Sequence, residues 1–173
     1  MENSDSTIQG SHSTTHNSQL TIHVGADHAG YLLKEVIKDH LDEAGRHVVD
    51  HGATALNEKD DYPDFIHPAA EAVSGSEQAR GIIFGHSGQG EAIVANRYES
   101  VRAAVYYGPP AEDASEEEII KLSRQHNNAN VLSIGAGFVD ENQAINAVEE
   151  WLSTKFSKVT RHKRRIEKID DQS

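Results

Sequence analysis

The stretch Gly81-Ile-Ile-Phe-Gly85-His-Ser-Gly-Gln-Gly-Glu91-Ala-Ile-Val-Ala-Asn96-Arg97 carries three structural signals in succession. Ile82-Ile83-Phe84 is a short unbroken apolar run, the pattern of a fully buried strand. Gly85-His86-Ser87-Gly88-Gln89-Gly90 follows, with three glycines in six positions, and after Glu91 the run Ala92-Ile93-Val94-Ala95-Asn96 predicts the first turns of a helix. A strand, a glycine loop and a helix start together form an anion site. Glycines let backbone N–H groups turn inward, and the helix N-terminus adds partial positive charge. Glu91 is the unusual member, because a carboxylate beside such a pocket suits proton abstraction next to an oxyanion. Spacing alone leaves a second reading open, in which Glu91 complements the helix dipole. The loop is not a nucleotide motif. It lacks the Gly-Lys-Ser/Thr ending, and the region about 20 residues beyond Gly90 carries acids only at Glu112 and Asp113.

Upstream, Leu20 to Gly25 alternates apolar and polar residues and reads as a first strand, with Asp27 at its carboxyl end. Tyr31 to Ala44 is helical, with Leu33, Val36, Ile37, Leu41 and Ala44 on one face and Gly45 as the stop. His47 to Asp50 is a short second strand, and Pro63 opens a helix that continues over Phe65 to Val73. Downstream, Val101 to Tyr106 predicts a fourth strand, Ile119 to Gln125 a helix ended by His126-Asn127-Asn128, Val131 to Gly135 a fifth strand, and Asp140 to Leu152 an amphipathic helix. Between them Gly108 to Glu118 reads as an acidic surface excursion. Alternating strands and helices predict an α/β fold: a Rossmann-like three-layer sandwich with a mainly parallel five-stranded sheet and a C-terminal helical tail. Ligands in such sheets bind at the carboxyl ends of strands, where Asp27, the 85–91 loop and Gly135-Ala136-Gly137 converge.

Composition bounds the remainder. The chain has 173 residues, the size of one domain, with 36% hydrophobic and 25% charged residues. Residues 1–18 are polar and read as a disordered tail, residues 19–153 as the α/β domain, and residues 154–173 as a basic helix and tail of the same domain. The absence of cysteine excludes disulfides, thiolate metal sites and a cysteine nucleophile. No apolar run approaches the roughly 20 residues that span a bilayer, and no signal peptide is evident, so the expected location is the cytoplasm, with no membrane partner. A formal net charge of -12 argues against general nucleic-acid binding.

Five segments, in one order, resemble a known family: Gly25-Ala-Asp-His-Ala-Gly30, Asp61-Tyr-Pro63, the 85–91 loop, Arg124-Gln-His-Asn127 and Arg161-His-Lys-Arg-Arg165. Together, from about Leu20 to Ile169, they look like ribose-5-phosphate isomerase type B, a family that includes allose-6-phosphate and galactose-6-phosphate isomerases. The resemblance implies an aldose–ketose isomerase acting on a sugar phosphate through an enediolate, with no cofactor and no metal, as a homodimer or homotetramer whose clefts draw on two subunits. One branch has a cysteine base where Gly85 stands and another a glutamate where Glu91 stands, so this chain resembles the glutamate branch. Carried over residue by residue, Glu91 is the base, His126 opens the sugar ring with help from Asp27, and Ser87 with the N–H groups of Gly88 to Gly90 holds the enediolate oxygen. His28, Arg161 and Arg165 are expected at the phosphate and Asn127 at sugar hydroxyls, with Tyr62 and His162 as further binding residues. Should the tail arginines not bind phosphate, Arg97, Arg102 and Arg124 are the alternatives. Two features depart from the pattern: Gly137 stands where the family usually has a phosphate-contacting arginine, and the acidic 108–118 stretch looks like an insertion. Rival readings are an isomerase of another sugar phosphate, a non-catalytic sugar-phosphate-binding relative, and a nucleic-acid-binding protein using the basic tail.

Overall fold

The computed structural model describes residues 20–108 and 119–171; the polar N-terminal tail and most of the acidic 108–118 stretch therefore lie outside the described residues. In chain order the elements are β1 (Thr21–Ala26), α1 (Tyr31–Glu43), β2 (His47–Asp50), α2 (Pro63–Ser74), β3 (Ala79–Gly85), α3 (Gln89–Ala95), β4 (Ala103–Tyr106), α4 (Ile119–Asn127), β5 (Val131–Gly135), α5 (Glu141–Ser153) and α6 (Thr160–Asp170). The strands form one sheet in the order β2-β1-β3-β5-β4, and every pairing is parallel.

Strand β3 sits at the centre of the sheet and is buried on both faces, which explains its unbroken apolar run. Ile82 and Phe84 pack with Ile37, Leu41, Val148 and Trp151 against α1 and α5. Ile83 and Ala79 point the other way, onto Ile66, Ala70 and Val73 of α2 and Ala95 of α3. Helix α6 lies outside these two layers and buries only His162.

Several boundaries differ from the sequence reading. Strand β4 begins at Ala103, because the Arg102 N–H is taken by the Asn130 side chain at 2.7 Å and Val101 turns its side chain into the α2 core. The fourth helix runs on through His126 to Asn127, so His126 is helical and does not cap it. Asp140 precedes α5 as its N-cap, in a reciprocal pair of bonds with Gln143. Lys34 of α1 is fully buried. Its ammonium reaches Asp50 at 2.7 and 2.9 Å and Glu35 at 2.7 Å, tying α1 to β2. A buried charge of this kind persists only when paired.

Candidate active site

Residues Ala26 of β1 and Phe84 of β3 stand opposite each other, so the turns leaving these strands start as neighbours. The chain then goes to opposite sides of the sheet, to β2 from one strand and to α3 and β4 from the other. A crevice opens where the turns diverge, at the carboxyl ends of the strands.

Glu91 lies in the first turn of α3 and is 4% exposed. Its carboxyl rests on Gly85: a Cβ at that position would stand 1.9 Å from Oε1 and 2.2 Å from Cδ. Among the described residues no cation pairs with it. Burial pushes its pKa above the ordinary carboxylate value; its own backbone N–H opposes the rise and the charge of Asp27 adds to it. Gly88, ahead of α3, has φ of 73°, a left-handed conformation that suits glycine, and its carbonyl accepts a bond from Ser133 of β5 at 2.6 Å. The Ser87 hydroxyl accepts from the Gln89 N–H at 3.4 Å. The Tyr62 ring covers Gly90, where a Cβ would come within 2.8 Å of it.

Asp27 is buried, and its Oδ1 accepts from the N–H groups of Ala29 at 3.0 Å and Gly30 at 3.4 Å. The N-cap of α1 is Gly30, so Asp27 shapes the turn before the helix. His28 is held by Asp60, whose Oδ1 lies 2.6 Å from Nδ1 and accepts the backbone N–H at 3.0 Å. That bond pushes the His28 pKa up against the effect of burial, and the charges of Asp27, Asp60 and Glu58 act in the same direction. Donor atoms of Asp27, His28 and Asp60 fall within 4.8 Å of one another, a grouping that an imidazolium between two carboxylates satisfies without an ion.

A second group forms elsewhere. His126 and Asn127 of α4 line a cavity of about 400 Å³ with His162 and Arg165 of α6. The rings of His126 and His162 lie 4.2 Å apart between centroids. Ser157 donates to the Gln125 carbonyl at 2.6 Å, so at 3.0 Å it accepts from Nδ1–H of His162, while Arg161 Nε donates to His162 Nε2 at 3.1 Å. These partners fix His162 as a neutral imidazole, in line with a pKa lowered by burial and by the neighbouring His126, Arg161 and Arg165. Arg161 and Arg165 share an exposed face of α6.

Two of the alternative cations are already engaged. Arg124 is buried over the Trp151 ring, donates to carbonyls of Ala129 and Thr154, and has its pKa lowered by burial to about 10. Arg102 donates to the carbonyls of Ser100, Asn127 and Asn128 and pairs with Asp170 at 3.3 Å.

The two groups lie toward opposite ends of the sheet. Helix α4 returns from β4 to the start of β5, so its last turn, with His126 and Asn127, sits near the amino ends of strands whose carboxyl ends face Glu91. The five residues of β5 alone span about 17 Å at roughly 3.3 Å per residue.

Comparison with known proteins assigns the frame. The family model described as Ribose/Galactose Isomerase matches residues 22–169. The chain belongs to the ribose/galactose isomerase family. Ribose-5-phosphate isomerase B of Mycobacterium tuberculosis (strain H37Rv) is 37% identical over 150 residues, covering 87% of this chain and 88% of that protein. The Escherichia coli K12 protein of the same name is 39% identical over 145 residues, covering 84% and 91%. Ribose-5-phosphate isomerase B of Mycoplasma genitalium with bound ribulose-5-phosphate superposes with a TM-score of 0.78 at 35% identity, covering 87% of this chain and 93% of that one.

Within the ribose/galactose isomerase fold of this chain, the contact at Gly85 sets a steric condition on Glu91. Any side chain at 85 would enter the volume that the Glu91 carboxyl fills, so a cysteine there and Glu91 in this position exclude each other. The contact at Gly137 revises the meaning of the absent arginine. A Cβ at 137 would lie 2.5 Å from His86 Cε1, and the His86 ring also faces Phe138 at 5.7 Å. An exposed imidazole thus occupies the space over Gly137. Sequence reasoning missed Asp60 and His86. The Asp60-Asp61 doublet and a bulky His86 inside a glycine loop were the available signals.

Proposed function

We propose that this chain interconverts ribose 5-phosphate and ribulose 5-phosphate through an enediolate, without cofactor or metal, with Glu91 as the base. The observation that carries this is the Glu91 carboxyl itself, which is buried, free of any cation among the described residues, raised in pKa and seated against the glycine loop. A side chain that only complemented the helix dipole would gain nothing from that burial, whereas a base gains proton affinity from it. Glu91 removes the proton from C2, the hydroxyl proton passes from O2 to O1, and Glu91 returns its proton to C1. Ser87 and the N–H groups of Gly88 to Gly90 hold the developing oxyanion, since first-turn N–H groups lack intrahelical partners. His126 opens the ring with Asp27, His162 positions His126, Asn127 and Tyr62 contact the sugar, and His28, Arg161 and Arg165 take the phosphate.

The working enzyme is a cytoplasmic homo-oligomer with clefts shared between two copies. The separation of Glu91 from His126 within one copy supports this reading: the carboxyl ends of one sheet complete themselves with the α4 and α6 residues of another.

The test is ketose formation by purified protein from ribose 5-phosphate, allose 6-phosphate and galactose 6-phosphate. Turnover of ribose 5-phosphate that disappears in Glu91→Gln is expected, and inactivity toward all three would overturn the proposal. A clear preference for allose 6-phosphate would establish the second reading.

A further inference from the structure

We infer that Asp60 is a positioning residue for the substrate's phosphate: it holds the His28 ring by Nδ1 so that a protonated Nε2 is left for a phosphate oxygen. The inference rests on the reading of His28 as a phosphate ligand and extends it to a residue 32 positions away in sequence, on the loop before α2. Two bonds from His28, one from the ring and one from the main chain, converge on the same oxygen, Asp60 Oδ1, at 2.6 and 3.0 Å. They fix both the backbone and the ring. The Asp60 side chain is only 8% exposed, and its other oxygen, Oδ2, is buried with no hydrogen-bond partner among the described residues. The negative charge of Asp60 is therefore directed at His28 alone among the described residues. Nε2 of His28 has no hydrogen-bond partner among the described residues, and the side chain is 34% exposed.

The consequence follows from the tautomers. With Nδ1–H committed to Asp60, a neutral His28 would present a bare lone pair at Nε2, which repels a phosphate oxygen. Only the imidazolium donates there, so phosphate binding follows the protonation of His28. The groups facing this imidazole are Asp60, Asp27 and Glu58, all negative, and all favour the charged form. Its pKa is raised, so the charged form persists above the ordinary histidine value and is lost as pH rises through the raised one.

The experiment uses the full-length protein in three forms, wild type, Asp60→Asn and Asp60→Ala, each checked for an unchanged melting curve. NMR titration of the His28 ring without ligand should give an inflection above about 6.5 in wild type and a lower one in Asp60→Asn. The Asn side chain still accepts Nδ1–H, so the ring stays oriented while the charge is lost. Affinity for inorganic phosphate, and KM for ribose 5-phosphate, should then match wild type at about pH 5.5 and weaken about tenfold at about pH 8. Asp60→Ala, which loses orientation as well, should weaken both at either pH, with kcat changed less than KM in both variants. A wild-type His28 titrating at or below its ordinary value would overturn the inference without any variant. So would an Asp60→Asn protein whose phosphate affinity shows the wild-type pH dependence. The NMR and phosphate measurements need no turnover. A protein inactive toward sugar phosphates that still shows them would sink the isomerase reading and uphold the Asp60–His28 link.

Discussion

At the carboxyl ends of β1 and β3 the functional groups are carboxylates withdrawn from water: Asp27 and Glu91 are buried, and the Asp60 side chain is 8% exposed. Near the amino end of β5 the groups are imidazoles and guanidiniums on α4 and α6, with Arg161 and Arg165 exposed and the His126 ring tilted against a neutral His162. In the proposed mechanism one region supplies the base and a cradle for an oxyanion, and the other a ring-opening histidine and cations. Each holds what the other lacks, and a single copy keeps them about a strand's length apart. The contrast teaches that, if both groups serve one reaction as proposed, a second copy related by symmetry must bring the two ends together.

The largest expected effect tests the carboxylate end. Glu91→Gln keeps the shape and removes the base, so kcat should fall at least ~10²-fold while substrate still binds. In wild type the base must be ionised, and its pKa is raised, so activity should decline with falling pH above the ordinary carboxylate range. Near-normal turnover in Glu91→Gln would remove this end from the chemistry. Gly85→Ala asks whether placement matters as much as identity. Its Cβ displaces the carboxyl, and a shift on the order of 1 Å should reduce kcat by about 10²-fold with Glu91 intact. An active Gly85→Ala enzyme would show that the seat on Gly85 is incidental.

The separation of the two ends has its own test. Glu91→Gln and His126→Ala proteins, each inactive alone, should regain about a quarter of wild-type activity when unfolded and reassembled together, because half the dimers are mixed and each holds one intact cleft. A mixture that stays inactive would mean that each cleft lies within one copy. At the cationic end, Arg161→Ala and Arg165→Ala should each raise KM by roughly 10- to 100-fold, the loss of one charge-assisted phosphate contact, with smaller changes in kcat. Indifference to both would leave Arg97 as the exposed alternative, since Arg102 and Arg124 are engaged.

The smallest effect concerns the turn after β5. Gly137→Arg alone displaces the exposed His86 ring and should destabilise by about 0.5 kcal/mol or less, read as a slightly lower Tm. Adding His86→Gly should relieve it and leave KM at or below the wild-type value. A single Gly137→Arg variant as stable as wild type would show that His86 swings aside freely.

Much of the fold was legible in local pattern. The buried run of β3, the helical face of α1, Pro63 at the start of α2 and the limits of β5 follow from periodicity and from residues that stop or start an element, signals that act over a few positions. Edges were less legible: β4 lies at the rim, half-buried throughout, and Arg102 is drawn off by Asn130, a partner 28 residues away. The glycine loop and the place of Glu91 in the first turn of α3 were legible because backbone freedom and helix starts are local properties. What the sequence by itself determined was therefore the set of elements and the glycine loop that carries Glu91. Only the tertiary structure decided that β5 inserts between β3 and β4, that Gly85 gives up its side-chain volume to Glu91, that Asp60 reaches His28 and that His126 sits toward the opposite end of the sheet from Glu91. These depend on which faces the layers bury and on which loops that burial brings together, and no short-range pattern encodes such long-range choices.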